Sequence, residues 1–140
     1  MYILDSNIIL EAIKPEPNQG VMRWLSTEIG FGVTAITIEE ISFAIHEMSD
    51  GKEKDAHLVW FKQLLLFNPD IAIIPYDGAS ASLFGEMYGK LRTKGLKPRK
   101  VDLQIAAIAK VNRSVVATSN TEEFLHYGVS LVNPFEINIA

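Results

Sequence analysis

The sequence predicts an α/β domain with a central, largely parallel five-stranded sheet flanked by helices. Two observations lead to this fold class. Five short stretches are almost continuously apolar and rich in β-branched residues, as expected for strands that are covered on both faces. Between them, apolar residues recur at helical spacing, and such alternation of strand and helix is typical of parallel α/β folds. The length of 140 residues and the hydrophobic content of 48% suit one domain, which we expect to span residues 1–140.

Elements in the first half of the chain are bounded by charged residues and prolines. In order, they are a strand over residues 1–4, helices over residues 6–13 and 18–27, a strand over residues 31–36, and a helix that carries apolar residues from Ile38 to Met48. The first strand stops at Asp5, and the segment Pro15-Glu16-Pro17 separates the first two helices. Strand and helix therefore alternate from the start of the chain.

The second half continues the same alternation. In order, its elements are helices over residues 54–67, 77–93 and 101–109 and strands over residues 71–75, 114–118 and 129–132, with the first of these strands preceding the second helix. Residues 49–52, Ser-Asp-Gly-Lys, form a turn between two helices, while Asn68-Pro69 and Gly95 end helices. No repeat or linker divides the chain.

The residue types that are missing or scattered exclude several kinds of site. The chain has no cysteine, so it has no disulfide, thiol nucleophile or thiolate zinc site, and its three histidines are scattered. The N-terminus lacks a basic region, and no apolar run approaches the ~18 residues that span a bilayer. We therefore expect a soluble, cytoplasmic protein with no membrane partner.

Basic residues are concentrated in one segment of an acidic chain. The formal net charge is −4, which taken alone disfavours a nucleic-acid partner. Nevertheless, six of the 13 lysines and arginines fall between Lys90 and Lys100, where no acidic residue occurs. This basic segment, residues 90–100, is either a solvated helix end or a contact for RNA.

Carboxylates follow the predicted strands, where open α/β sheets bind their ligands. Asp5 follows the first strand, Glu40 lies just beyond the second, and Asp102 opens the helix that leads into the fourth. Each has an ordinary structural explanation as well. Asp5 suits a helix cap, Thr37-x-x-Glu40 matches a capping box, and a helix dipole favours an acid at position 102. The segment 119–123, Ser-Asn-Thr-Glu-Glu, also has the residues of helix caps.

Helical phase and charge point beyond these structural roles. At 100° per residue, Glu40 borders the apolar arc of its helix, whereas Glu39 lies on the far side; Asp102 borders the arc of its own helix. Converging carboxylates repel one another unless a cation lies between them. Mg²⁺ or Mn²⁺ accepts such oxygen ligands and can activate a water for phosphodiester hydrolysis. Lysines and arginines beside such a site would bind the phosphate backbone.

Four segments stand out in order along the chain: MYILDSN, AITIEEI, KVDLQIAAIAK and VATSNTEEF. They resemble the motifs of PIN-domain ribonucleases, and specifically the VapC-type toxins of type II toxin–antitoxin pairs. The family has a hydrophobic run before Asp-Thr/Ser-Asn, an Ile-Thr-x-x-Glu-Leu segment, an Asp-x-x-Ile-Ala-Ala-x-Ala stretch, and Thr-x-Asn/Asp-Thr-x-x-Phe. The resemblance covers nearly the whole chain, and four motifs in order argue against coincidence although none is specific alone.

The resemblance implies a fold, a cofactor and residue roles. The fold would be the PIN-like three-layer sandwich, the cofactor Mg²⁺ or Mn²⁺, and the substrate RNA. The implied roles are catalytic for Asp5, Glu40, Asp102 and Glu123, metal-binding for Asp5 and Asp102, and supporting for Ser6, Asn7, Ser119 and Asn120. Independently of the resemblance, Lys97, Arg99 and Lys100 are candidate RNA-binding residues, because the basic segment lies close to Asp102 in the sequence. Position 120 departs from those relatives that have Asp there. Asn adds no charge for a second ion. Many relatives of this toxin type have Asn-Thr followed by a Glu before the Phe, as this chain does, so Glu123 is the candidate fourth acid.

Protein partners are implied in the same way. By resemblance, the chain pairs with a small cognate antitoxin and forms a homodimer. The segment from Leu58 to Phe67 is more apolar than a helix packed on one side requires. Core packing explains most of it, and an exposed remainder would suit a dimer or antitoxin surface.

Three other functions share part of this pattern. A receiver-like signalling module also gathers acids around Mg²⁺, but it needs an Asp at the end of the middle strand, and the third strand, followed by Pro75-Tyr76-Asp77, provides a poor one. A nucleotide-binding module needs a glycine-rich phosphate loop, which follows no predicted strand. The main alternative is a PIN-like domain that binds RNA or a protein without catalysis.

Overall fold

The structure, a computed structural model, describes residues 1–137, and those residues contain every predicted strand. The strands are β1 (Tyr2–Leu4), β2 (Phe31–Thr34), β3 (Ile71–Ile74), β4 (Val115–Ala117) and β5 (Leu131–Val132). The helices are α1 (Ser6–Ala12), α2 (Gln19–Thr27), α3 (Ala35–Glu47), α4 (Lys52–Trp60), α5 (Gly78–Thr93), α6 (Lys100–Val111) and α7 (Thr121–Phe124). The last three residues of the predicted domain, 138–140, lie outside this range.

The five strands form one sheet in the order β3-β2-β1-β4-β5, and every neighbouring pair is parallel. The prediction of a parallel α/β sheet with flanking helices is confirmed. The chain builds outward from β1 through β2 to β3, then crosses back to β4 and β5. The central strand is therefore β1 and not the third strand along the chain, so the sequence-based placement of the middle strand was wrong.

Apolar residues cover both faces of the sheet, which gives the three-layer arrangement. Alternate residues of the central strands point to opposite sides. Ile3 and Val116 pack with α5, α6 and α7, whereas Leu4 and Ala117 pack with α1, α2, α3 and the end of α4. All four residues are at most 5% exposed. Burial on both sides explains why the strands are nearly continuous in apolar residues.

The junction between β2 and α3 differs from the prediction. The strand ends at Thr34, because its hydroxyl oxygen accepts a hydrogen bond from the backbone N–H of Thr37 at 3.1 Å and thereby caps α3. Ala35 and Ile36, predicted as strand, already belong to the helix. Since Thr34 is the cap, the capping-box explanation of Thr37 and Glu40 was wrong, and Glu40 lies well inside α3.

The predicted helix over residues 54–67 is α4 followed by a π-helical segment, Phe61–Leu66. Its apolar residues divide between two environments. Phe61 and Leu65 are buried in the core, whereas Val59 and Phe67 are 54% and 72% exposed. Core packing therefore accounts for part of the apolar excess, and large apolar side chains also remain at the surface. Within residues 1–137, the helices are too short or too polar to cross a bilayer.

Candidate active site

The fold brings three of the predicted acids to one edge of the sheet. Asp5 directly follows the central strand β1, and Glu40 lies in α3, which starts directly after β2. Asp102 lies in the first turn of α6. Because α6 leads through a short turn into β4, it runs opposite to the strands, and its first turn lies at the edge where the strands end. Asp5 and Asp102 both raise the pKa of Glu40, as expected for neighbouring carboxylates.

Asp5 is 3% exposed and is held by several donors. Its Oδ1 accepts a hydrogen bond from the backbone N–H of Ser6 at 2.8 Å, so Asp5 does cap α1. Its Oδ2 accepts hydrogen bonds from the Thr118 hydroxyl at 2.8 Å and from Asn7 Nδ2 at 3.2 Å. The structural and functional explanations of Asp5 are therefore compatible, since the cap fixes the carboxylate at the sheet edge.

Thr118 connects this network, although sequence reasoning did not select it. The residue is fully buried, and its hydroxyl oxygen accepts hydrogen bonds from Asn7 Nδ2 at 3.2 Å and from the backbone N–H of Asn120 at 3.0 Å while donating to Asp5. A hydroxyl directly after the apolar strand β4 was the signal in the sequence. Its partner lies 113 positions away along the chain, which local patterns do not indicate.

The four predicted supporting residues all belong to this network, mostly through their backbones. The backbone N–H of Ser119 donates to Asn7 Oδ1 at 3.0 Å. Ser6 and Asn120 also contribute backbone N–H groups, whereas Asn7 uses its side-chain amide. The expected hydrogen bond from Ser6 to the acid thus comes from its backbone and not from its hydroxyl. These residues shape the loop that orients Asp5.

The carboxylate of Glu40 has fewer hydrogen-bond partners than that of Asp5. Its side chain is 23% exposed, and its Oε1 is buried without a hydrogen-bond partner in the structure. Desolvation, reinforced by the negative charge of Asp5, raises the pKa of Glu40 to about 6. Glu39 is exposed, as helical phase predicts. A buried carboxylate oxygen without a partner is the kind of group that a bound cation would satisfy.

Asp102 forms an ion pair with Arg99. It is 2% exposed, and both of its carboxylate oxygens lie 3.3 Å from Arg99 Nη1. Burial raises the pKa of Asp102, and the Arg99 guanidinium opposes that shift. Arg99 Nη2 lies 3.7 Å from Glu40 Oε2, so one guanidinium contacts two of the predicted catalytic acids.

Glu123 lies at the margin of the site. Its Oε1 accepts hydrogen bonds from the backbone N–H of Arg99 at 2.9 Å and from the Tyr127 hydroxyl at 2.7 Å. The first of these is the main reason why the pKa of Glu123 lies below its ordinary value. Glu122 is exposed, and Asn120 precedes α7 without a side-chain capping bond. The prediction that side chains of residues 119–123 cap a helix was therefore wrong. Glu123 instead holds the segment before α6 in place through its hydrogen bond with the backbone N–H of Arg99.

The other two predicted RNA-binding residues lie outside the carboxylate cluster. Lys97 is exposed in the loop between α5 and α6. The Lys100 ammonium lies 5.4 Å from the centre of the Tyr88 ring, in the range of a cation–π contact. Of the three, Arg99 is the one that contacts the acids directly.

Comparison with known proteins decides the family. The PIN domain family matches residues 2–129. This chain belongs to the PIN-domain family. The PIN domain is 31% identical to Toxin FitB of Neisseria gonorrhoeae over 96% of this chain and 99% of that protein. It is 29% identical to VapC ribonuclease Y4jK of Sinorhizobium fredii over 97% and 99% of the two chains.

A solved structure shows the same fold along nearly the whole PIN domain. The structure of FitAB bound to the IR36 DNA fragment superposes with a TM-score of 0.87 and 30% identity, and the match covers 99% of both chains. Together with the two relatives, it confirms the resemblance to PIN-domain toxins that the four motifs indicated. The receiver-like and nucleotide-binding alternatives are excluded by this family membership.

The residues of this PIN domain fit a divalent cation that keeps part of its water shell. Within residues 1–137, no three His, Asp or Glu side chains form a complete ligand set by themselves. Mg²⁺ is usually held by one or two carboxylates with water in the remaining positions, so it does not need such a set. The unpartnered Oε1 of Glu40 and the buried Asp102 supply oxygen donors of the required kind.

Proposed function

We propose that this PIN domain is a divalent-metal-dependent endoribonuclease and the toxin of a type II toxin–antitoxin pair. The observation that carries the proposal is the convergence of Asp5, Glu40 and Asp102 at the sheet edge, where one carboxylate oxygen is buried without a partner. The relatives named toxin and VapC ribonuclease support the same activity. The metal would be Mg²⁺ or Mn²⁺, and the single PIN domain would span residues 1–140 and act in the cytoplasm.

The residue roles follow from charge and hydrogen bonding. A bound divalent cation would supply a polarised water and offset charge on the phosphoryl oxygens. Asp5 and Asp102 would hold this cation, with Asp5 oriented by Thr118 and Asn7. Glu40, whose Oε1 is buried without a partner, would help to hold the cation and to orient its bound water. Glu123 is the weakest of the four proposed catalytic acids, because its Oε1 already accepts two hydrogen bonds.

A cleavage assay tests the activity. We expect purified, antitoxin-free protein to cleave single-stranded RNA with Mg²⁺ or Mn²⁺ and not with chelator. Asp5→Asn and Asp102→Asn should each lower cleavage by about 100-fold or more, since each removes a charge that holds the cation. Glu122→Gln, an exposed acid of the same region, is the matched control. Unchanged cleavage in both Asp variants, or in chelator, would refute the mechanism.

The basic residues are proposed to bind the RNA backbone. Arg99 contacts the acids, and Lys97 and Lys100 are exposed near it along the chain, in an otherwise acidic protein. Each phosphate contact contributes a salt-dependence slope of about −0.7 for single strands. We therefore expect Lys97→Gln to weaken RNA binding and flatten its salt dependence, measured by fluorescence anisotropy in chelator with Asp5→Asn protein. Lys52→Gln, at the start of α4, is the control, and an equal loss there would argue against a specific contact.

An antitoxin and a second copy of the chain are the proposed protein partners. An apolar groove of about 190 Å³ is lined by residues that include Ile8, Ile9 and Trp60. This groove would receive apolar residues of the antitoxin, while the exposed Val59 and Phe67 would suit a homodimer. Expression of the chain alone should arrest growth, and co-expression of the neighbouring open reading frame should relieve the arrest. A non-catalytic PIN domain would cause an arrest that persists in Asp102→Asn.

A further inference from the structure

Arg99 is placed between two carboxylates that would otherwise repel each other. Its Nη1 lies 3.3 Å from both oxygens of Asp102, and its Nη2 lies 3.7 Å from Glu40 Oε2. These distances exceed the roughly 2.7–2.9 Å of a strong charge-assisted hydrogen bond. The guanidinium therefore compensates both charges by proximity without the geometry of a tight fork.

The backbone and the side chain of Arg99 are held differently. The backbone N–H donates a hydrogen bond to Glu123 Oε1, and the Tyr127 hydroxyl donates to the same oxygen. Because Tyr127 is only 4% exposed, it links this hydrogen-bonded pair to the protein core. The Arg99 side chain, by contrast, is 59% exposed. The guanidinium can consequently leave the acids toward solvent while its backbone keeps its place.

We propose that Arg99 is a tethered counter-ion that a divalent cation must displace from Glu40 and Asp102 on binding. The inference rests on the proposed function, because it takes the metal of that function as the competing ion. A guanidinium and a divalent cation compete for the lone pairs of the same carboxylate oxygens, and their positive charges repel each other. Arg99 thus stabilises the acids in the metal-free protein and lowers their affinity for the metal.

Titration with Mn²⁺ measures this competition without any cleavage. Metal-stripped wild-type protein, Arg99→Gln, Arg99→Lys and Lys97→Gln are titrated at pH 7.5, and free Mn²⁺ is followed by electron paramagnetic resonance. Coupling between two sites is typically about 5- to 150-fold, and the exposed position of Arg99 suggests the lower end. We expect Arg99→Gln to bind Mn²⁺ about fivefold more tightly than wild type. Arg99→Lys should fall between them, because lysine keeps the positive charge but has one ammonium group in place of the two Nη atoms that lie beside Asp102 and Glu40.

Lys97→Gln is the matched control, because it removes one positive charge from the same loop without removing the contact to the acids. We expect its Mn²⁺ affinity to stay within about twofold of wild type, since exposed charges are screened by solvent and salt. A second readout is thermal unfolding in chelator. There Arg99→Gln should melt below wild type, and saturating Mn²⁺ should raise its melting temperature by more than that of wild type.

Three results would overturn the proposal. Unchanged or weaker Mn²⁺ binding by Arg99→Gln would mean that Arg99 does not compete with the metal. An equal gain in Lys97→Gln would mean that only the general charge of the loop matters. Both results leave the proposed metal-dependent function intact. Absence of Mn²⁺ binding in every protein, wild type included, would instead remove the metal from the function and this inference with it.

Discussion

The two sides of the candidate site are built on different principles. On the first side, which we call the Asp5 side, one carboxylate accepts hydrogen bonds from Ser6, Asn7 and Thr118. On the second side, the Glu40–Asp102 side, two carboxylates share the single exposed guanidinium of Arg99, and Glu40 Oε1 has no partner. One side is satisfied by neutral donors that are fixed in the loop, whereas the negative charge of the other side is compensated only in part, by Arg99.

The two sides therefore have different roles: one orients a carboxylate, and the other holds negative charge that can attract a cation. Neutral donors orient a carboxylate without cancelling its charge, so the Asp5 side fixes geometry. On the Glu40–Asp102 side, burial and, to a smaller extent, the negative charge of Asp5 raise the pKa of both carboxyl groups, so negative charge is unfavourable there. A cation that binds there offsets this charge. Substitutions on the first side should therefore cost stability and geometry together, while substitutions on the second side should trade stability against metal binding.

The largest effect is expected at Thr118, on the Asp5 side. Thr118→Val keeps the shape of the side chain but removes a buried hydroxyl that makes three hydrogen bonds. We expect the free energy of unfolding to fall by about 2 kcal/mol, and metal-dependent cleavage to fall by roughly 10- to 100-fold because the support of a metal ligand is lost. Chemical denaturation and the cleavage assay measure both quantities.

Ser119→Ala is the control for that prediction. Ser119 is exposed and contributes its backbone N–H, which alanine retains. A loss of stability in Ser119→Ala as large as that in Thr118→Val would show that the loop, and not the buried hydroxyl, supports Asp5. The proposed difference between the Asp5 side and the Glu40–Asp102 side would then be incorrect.

The second largest effect is expected on the pH dependence of stability when Glu40, on the Glu40–Asp102 side, is substituted. The pKa of Glu40 is raised to about 6 from 4.5, so its contribution to stability is fully present below about pH 4.5 and is lost as the pH rises through 6. Because Gln mimics the protonated carboxyl group, Glu40→Gln should be more stable than wild type above pH 6, by about 1–2 kcal/mol, in chelator. The difference should vanish below pH 4.5, as followed by thermal unfolding across pH.

Glu39→Gln serves as the matched control, since Glu39 is the exposed neighbour on the same helix. We expect it to have the pH dependence of wild type. If Glu40→Gln were instead less stable than wild type at pH 7.5, the negative charge of Glu40 would be well compensated in the fold, and the contrast between the two sides would be lost.

The smallest effect is expected at Glu123, which links Arg99 of the Glu40–Asp102 side to the buried Tyr127 through hydrogen bonds. Glu123→Gln keeps an oxygen that can accept from Arg99 and Tyr127 but loses the negative charge that strengthens both hydrogen bonds. We expect about 0.5–1 kcal/mol lower stability at pH 7 and a severalfold loss of cleavage, compared by assay with Glu122→Gln. Equal effects of the two substitutions would remove Glu123 from the site.

Much of this arrangement was predictable from the sequence because parallel strands end at one edge of a sheet. Asp5 follows an apolar run, and Glu40 and Asp102 border apolar helical arcs, so their common location follows from the fold class. The details depend on side-chain choices that local patterns do not encode. Thr34 rather than Thr37 caps α3, and α7 begins without a side-chain cap.

The inward direction of Arg99 was also beyond sequence reasoning. A basic segment has the same composition whether its side chains face solvent, RNA or neighbouring acids. Glu123, 24 residues further along the chain, accepts a hydrogen bond from the backbone N–H of Arg99 and helps to fix it beside Asp102. The sequence thus predicted which carboxylates converge, while the tertiary fold determines which groups compensate them.

The most direct test of the account locates the cation on the folded protein. Substoichiometric Mn²⁺ is added to metal-free, isotope-labelled protein, and paramagnetic broadening of the backbone amide signals is recorded by NMR. The account predicts that the signals of Asp5, Glu40 and Asp102 broaden first, and that Asp102→Asn abolishes this broadening. Broadening that begins instead at an exposed acidic stretch such as Glu53 to Asp55, or that persists unchanged in Asp102→Asn, would contradict it.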